Sequence, residues 1–153
     1  MKNALLKILL YGGNDQGNTG QGHVSSALTY GWEVKKIVTN NQVAKIGRPK
    51  DSVYSYGDIT PQNADVIIIA VKPGDVSVVA SDLRGKLRQD QLIISTAALL
   101  SLGELQKLFS HEAVVRTMPT LGLSVAMSDT MWLADPGLNQ EHIELVEYLF
   151  GNL

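Results

Sequence analysis

The apolar positions of this chain fall into short continuous runs separated by glycine, proline and polar clusters. Lys7, Ile8, Leu9, Leu10 and Tyr11 form the first, closed by Gly12 and Gly13. A run apolar at successive positions suits a strand buried on both faces rather than an alternating edge strand. A stretch carrying Gly12, Gly13, Gly17, Gly20 and Gly22 follows, after which Val24, Ala27 and Leu28 recur at near-helical spacing up to Gly31. Strand, loop and helix are therefore predicted in that order. Val34, Ile37 and Val38 predict a second strand ending at Asn40 and Asn41. Val43 to Gly57 shows no regular period, and Pro49 breaks any helix there.

The pattern sharpens at ADVIIIAVKP, Ala64 to Pro73, which reads as a central parallel strand apolar on both faces and stopped by Pro73 and Gly74. Val76, Val79, Leu83 and Leu87 supply a helical stripe, and Leu92, Ile93 and Ile94 another buried strand. Ser101 with Glu104 forms a capping box that opens a helix through Leu102, Leu105, Leu108 and Phe109, and Ala113 to Arg116 gives the next strand. Thr120 to Ser128 is small and apolar. Thr130 to Ala134 suits an additional strand, and Asn139 caps a last helix bearing Ile143, Val146, Leu149 and Phe150. Alternating βα units of this kind require a mostly parallel sheet with helices on both faces, a doubly wound Rossmann-like α/β fold.

Composition narrows the function classes. A chain of 153 residues, 44% apolar and 18% charged, has ordinary globular usage and the size of one domain, so residues 1–153 are read as a single unit. The net charge of −2 gives no attraction to nucleic acid or anionic lipid. Cysteine is absent, and His23, His111 and His142 are scattered, so neither disulfides nor a metal site is expected. Each histidine reads as a surface or helix-end residue, and no general acid stands out. The longest apolar run, Val66 to Val71, falls far short of the ~20 residues that span a bilayer. A cytoplasmic location is the default expectation.

The glycine cluster between the first strand and helix is where a backbone could approach a pyrophosphate, with helix N–H groups aimed at it. Gly20, Gly22 and Ser25 fit G-x-G-x-x-small. On this motif alone, an exposed glycine-rich loop explains the pattern equally well.

Four segments in order carry a resemblance. GQGHVSSAL, Gly20 to Leu28, resembles the GAGNMAEAL-like opening of pyrroline-5-carboxylate reductases. ADVIIIAVKP resembles that family's second signature, LIISTAALLSL from Leu92 to Leu102 is similar to its VISIAAGISL segment, and VVRTMP from Val114 to Pro119 to its VVRVMP run. The resemblance implies the cofactor-binding half of an NADP-dependent oxidoreductase that delivers hydride to a cyclic imine in proline biosynthesis. It places Gly20, Gln21, Gly22, His23, Val24 and Ser25 around the pyrophosphate, Ala70, Val71, Lys72 and Pro73 beside the nicotinamide-side ribose, and Thr96, Ala97 and Ala98 along the nicotinamide. For Lys72 a solvated strand-end charge, and for Ala97 and Ala98 plain packing, are the alternatives.

Cofactor choice turns on the end of the second strand, where Thr39, Asn40 and Asn41 offer no carboxylate to repel a 2′-phosphate. NADP is therefore favoured and NAD remains possible, with Asn40 at the position where the family often has an asparagine. The chain departs from the family in three places. Eight residues, Gly12 to Thr19, separate Tyr11 from the first motif glycine, Leu99 stands where the family has a glycine, and the family's MPNTP motif appears as Met118, Pro119, Thr120, Leu121 and Gly122, without its asparagine. The family's C-terminal helical dimerisation domain, which supplies imine-binding groups, is expected to be absent. A non-catalytic nucleotide-binding or regulatory module is the alternative. Self-association is expected through Trp132, Leu133, Leu149 and Phe150.

Overall fold

The computed structural model of the chain describes residues 7–12, 33–37, 59–118 and 130–150. Six strands form one sheet: β1 (Lys7–Gly12), β2 (Glu33–Ile37), β3 (Val66–Ala70), β4 (Leu92–Ser95), β5 (Val114–Met118) and β6 (Met131–Ala134). Their spatial order is β2-β1-β3-β4-β5-β6. The first five are parallel to one another, and β6 runs antiparallel to β5 with Thr117 opposite Trp132. Three α-helices are described, α1 (Val76–Leu83), α2 (Leu102–Phe109) and α3 (Gln140–Phe150), with a 3-10 turn, Pro73–Asp75, leading into α1. This is the mostly parallel, doubly wound architecture expected.

The continuous apolar runs are explained by the two faces of the sheet. Ile8, Leu10, Val66, Ile68, Leu92, Ile94 and Val115 form one buried layer with Val146, Leu149 and Phe150 of α3. Their chain neighbours Leu9, Tyr11, Ile67, Ile69, Ile93 and Val114 form the other, with Val76, Val79, Ala80 and Leu83 of α1 and Leu105 and Phe109 of α2. Because successive strand residues point to opposite faces, a strand covered on both sides must be apolar at every position. Each fully buried isoleucine or leucine removes enough apolar surface from water to contribute about 1.5–3 kcal/mol.

Helix ends follow their local chemistry. Ser101 Oγ accepts from Glu104 N at 3.3 Å while Glu104 Oε2 accepts from Ser101 N at 2.7 Å, the reciprocal capping box. Asn139 Oδ1 accepts from His142 N at 2.8 Å at the start of α3. Three expectations are corrected. The stripe running to Leu87 overestimates α1, which ends at Leu83 because Arg84 leaves helical geometry (φ −57°, ψ 125°) and Gly85 reverses the chain at φ +73°. Leu87 still reaches the core from that turn. Leu149 and Phe150 are buried at 3% and 5% exposure against the sheet, so they are not open surface. The Ala64–Pro73 strand is shorter than its apolar run, since Pro73 begins the 3-10 turn. The predicted helix from Val24 to Gly31 and the stretches Val43 to Gly57 and Thr120 to Ser128 lie outside the described residues.

The amino edge of the sheet is tied by polar groups. Gln91, fully buried, donates its amide to the carbonyls of Pro61 (2.6 Å) and Ala64 (2.7 Å) and accepts from Arg88 N (2.6 Å). Arg88 adds contacts to the Gln62 carbonyl and an ion pair with Asp90 at 2.9 Å, which holds the Asp90 carboxyl below its ordinary range. Two histidines close the same edge, His111 Nε2 lying 2.7 Å from the Gln91 carbonyl and His142 Nε2 3.1 Å from that of Asp90. Both are helix-end residues, and both are buried at 8% exposure.

Three backbone positions with positive φ separate steric crowding from conformational strain. Gly12 (φ +104°) has no room for a Cβ, Gly85 (φ +73°) has open space, and Leu99 (φ +70°) carries a side chain that is 89% exposed. Gly12→Ala should therefore lose about 3 kcal/mol or more, and Gly85→Ala only about 1–2 kcal/mol. Leu99→Gly should gain about 0.5–1 kcal/mol, since the relief of left-handed strain exceeds the extra entropy of an unfolded glycine. Urea unfolding midpoints of the three variants test this ranking, and equal losses for the two glycine substitutions would refute the crowding at Gly12.

Candidate functional site

In an open parallel sheet, ligands bind outside the carboxyl ends of the strands where the strand order reverses direction. Here β1 is flanked by β2 on one side and β3 on the other, so the switch point falls between β1 and β3. Gly12 and Ala70, the last residues of those strands, face each other in register. A Cβ on Gly12 would lie 2.2 Å from the Ala70 carbonyl oxygen, 2.5 Å from its carbon and 2.9 Å from Val71 N. Only glycine permits this approach, and its φ of +104° is one that side-chain-bearing residues rarely adopt.

Tyr11, one residue earlier, fixes the same strand end from the side of α1. Its ring is 3% exposed, and its hydroxyl donates to Asp82 Oδ2 at 3.1 Å while Asp82 Oδ1 pairs with Lys86 Nζ at 3.0 Å. Burial, reinforced by the Asp82 charge and hydrogen bond, raises the Tyr11 hydroxyl well above the ordinary phenol range. The hydroxyl therefore stays protonated and serves as a donor that anchors β1 to α1.

The next strand end carries Ala70 and Val71, both partly buried, then exposed Lys72 and partly buried Pro73. Asp75 N donates to the Lys72 carbonyl at 2.9 Å, so the chain turns immediately from β3 into the 3-10 turn and α1. One strand over, Thr96 is joined to β3 through the Ile69 carbonyl, which accepts from Thr96 N at 3.0 Å and from Thr96 Oγ1 at 3.4 Å. Ala97 is 2% exposed, with its N–H donating to Ser95 Oγ at 3.3 Å. Ala98 is exposed, and Leu99 projects outward. The carboxyl edge thus presents a backbone-lined ledge in which Ala97 has the packing role considered for it and Thr96 is held by two bonds.

Of the residues expected at the site, Ala70, Val71, Lys72, Pro73, Thr96, Ala97 and Ala98 are brought together at adjacent strand ends. Gly20, Gln21, Gly22, His23, Val24, Ser25 and Asn40 lie outside the described residues. The histidines His111 and His142 sit at the opposite, amino edge. The crowding at Gly12 has only a glycine at the end of a buried run as its sequence signal. Arg116, for which the sequence offers no role, stands beside Ser95 in the β4–β5 register with its Nε buried and without an acceptor. Among the described residues no group of three or more histidine, aspartate or glutamate side chains could hold a metal ion. None of their helices is long and apolar enough to cross a membrane.

Crowded backbone, small side chains and strand-end N–H groups at a switch point fit the demands of a dinucleotide, which must approach main chain closely. The chain is similar to curated pyrroline-5-carboxylate reductases. It is 28% identical to that of Arabidopsis thaliana over 100 residues, covering 65% of this chain and 36% of the plant protein. It is 30% identical to that of Methanosarcina acetivorans, covering 72% of this chain and 45% of the archaeal one. The chain thus spans less than half the length of these relatives. Among solved structures, a pyrroline-5-carboxylate reductase from Coxiella burnetii shares the fold with a TM-score of 0.78 at 23% identity, covering 96% of this chain and 56% of that one. The Plasmodium falciparum pyrroline carboxylate reductase with NADP bound matches with a TM-score of 0.72 at 19% identity, covering 99% and 56%. The profile of the family described as NADP oxidoreductase, coenzyme F420-dependent, matches residues 16–99, which include the glycine-rich segment, β3 and β4, and the chain belongs to that family.

Proposed function

We propose that residues 1–153 form one dinucleotide-binding domain that takes NADP(H), with NAD(H) as a weaker alternative, in a cytoplasmic oxidoreductase of the pyrroline-5-carboxylate reductase kind. The observation that carries this reading is the close Gly12–Ala70 approach at the switch point of the strand order, where open α/β sheets bind their ligands. Gly20, Gln21, Gly22, His23, Val24 and Ser25 hold the pyrophosphate, and Asn40 stands near the 2′-phosphate. Ala70, Val71, Lys72 and Pro73 border the ribose. Thr96, Ala97 and Ala98 form the wall against the nicotinamide, Thr96 being held in place through the Ile69 carbonyl. When bound, the cofactor supplies a hydride, and the substrate is a cyclic imine such as the one for which the relatives are named. The chain's own contribution is binding and orientation, which carry much of the catalysis in hydride transfer.

Self-association belongs to the same reading. β6 is the outermost strand among the described residues, and Met131, Leu133 and Trp132 on it are 73%, 55% and 36% exposed, with Met118 of β5 at 43%. An apolar outer strand of this kind is a pairing surface for a second copy.

Two measurements test these readings. Titration of the chain with NADPH and NADH, followed by nicotinamide fluorescence, should show saturable micromolar binding with NADPH preferred. Gly22→Val should weaken it by about tenfold or more by keeping the backbone off the pyrophosphate. Absence of saturation with either nucleotide overturns the cofactor assignment. Sedimentation equilibrium should give a mass that rises with concentration and falls back in Leu133→Lys; a monomeric mass at every concentration overturns self-association.

A further inference from the structure

Leu99 stands in the loop that joins β4 to α2, and both ends of that loop are fixed. At the first end, Thr96 donates from N and Oγ1 to the Ile69 carbonyl of β3. At the second, Ser101 caps α2, and Leu100, the residue before the cap, packs against the core cluster that holds Leu105. That contact is the hydrophobic staple that sets the angle of entry into a helix. Between these anchors Leu99 keeps a left-handed backbone at φ +70° and leaves its side chain 89% exposed. Glycine would take the same backbone freely, and an apolar side chain standing in water contributes nothing to the fold. Backbone strain that packing does not require is a mark of positions that serve a ligand.

The place of Leu99 indicates which part of the ligand it meets. It lies three residues beyond Thr96, within about 11 Å along the chain, and directly follows exposed Ala98 at the carboxyl edge. Thr96, Ala97 and Ala98 form the wall assigned above to the nicotinamide. That ring is neutral when reduced and positively charged when oxidised. An apolar side chain laid against it removes water from either form, which favours the neutral ring and penalises the cation. Residues 96–103 bring no acidic side chain to offset the penalty, and the Glu104 carboxylate is engaged by Ser101 N at 2.7 Å and Ser101 Oγ at 2.6 Å. We propose that Leu99 covers the nicotinamide and makes the domain select the reduced dinucleotide over the oxidised one. This rests on the dinucleotide-binding function proposed above.

Wild type, Leu99→Gly and Leu99→Asn are each titrated with NADPH, with NADP⁺ and with 2′-phospho-ADP-ribose, which lacks the nicotinamide. Glycine and asparagine both accept a left-handed backbone, so neither substitution disturbs the loop. Wild type should hold NADPH about fivefold or more tighter than NADP⁺. Both variants should bring that ratio to within about twofold by weakening NADPH about five- to tenfold, and all three proteins should hold 2′-phospho-ADP-ribose within about twofold of one another. The emission of bound NADPH should move to longer wavelength in the variants as water returns to the ring. Equal affinity of wild type for NADPH and NADP⁺, or a ratio unchanged by the substitutions, overturns the selection and leaves dinucleotide binding standing. Tighter NADPH binding in Leu99→Gly overturns it by showing that the side chain crowds the ring, and weaker binding of 2′-phospho-ADP-ribose in the variants overturns it as damage to the whole site. Wild type that binds neither NADPH nor 2′-phospho-ADP-ribose overturns the underlying reading as well.

Discussion

The contact between Gly12 and the Ala70–Val71 peptide is the constraint around which the carboxyl edge is arranged. Parallel strands can pair along their length with any residue, but at the last residue of β1 the main chain comes so close to β3 that a single added carbon would overlap a carbonyl. The two strand ends are consequently held at one height. From that height Thr96 reaches back to the Ile69 carbonyl, and Asp75 closes the 3-10 turn on Lys72. The ledge is continuous because each of these strand ends is bonded to its neighbour.

Holding β1 in that position needs support from below. The layer of Leu9, Tyr11, Ile67, Ile69 and Ile93 over α1 and α2 supplies apolar burial, and the Tyr11–Asp82–Lys86 chain adds a polar tether at the rim. The amino edge is secured differently, by Gln91, Arg88, His111 and His142 satisfying main-chain carbonyls. Both described histidines are thereby engaged in structure, at the end of the sheet where parallel α/β folds do not place their ligands. The division follows from the direction of parallel strands, which gathers their amino ends at one edge and their carboxyl ends at the other.

What could be read from the chain depended on how local the physics was. The runs at Leu9 and at Ile67 to Ile69 announce buried parallel strands because burial on both faces leaves no room for a polar position. Ser101 with Glu104 and Asn139 announce helix starts because their caps involve residues only three positions away. Leu87 misled because a side chain can complete a helical stripe from the turn beyond the helix, and the break depends on Arg84 and Gly85, whose backbone angles leave no periodic trace. Leu149 and Phe150, expected on the surface that a C-terminal half would cover, pack against the sheet instead, because a helix stripe does not say which surface it meets. Gly12 was legible as punctuation only. Its crowding exists because Ala70, remote in sequence, is its register partner.

Two residues at the carboxyl edge depart from local rules. Leu99 holds a left-handed backbone that glycine would adopt without strain, and exposes its side chain. Arg116 buries an N–H that nothing in the core accepts. Neither arrangement improves the packing of the chain, and both lie beside Thr96 to Ala98 or directly next to Ser95, the residue that leads into it. Departures from local consistency concentrate where a structure serves something other than its own stability. The amino edge bonds its buried Gln91 amide on both sides, while His142 Nδ1 there is buried without a partner, as Arg116 Nε is. The unpartnered Arg116 Nε lies toward the edge to which the strand order points for ligand binding in parallel α/β sheets.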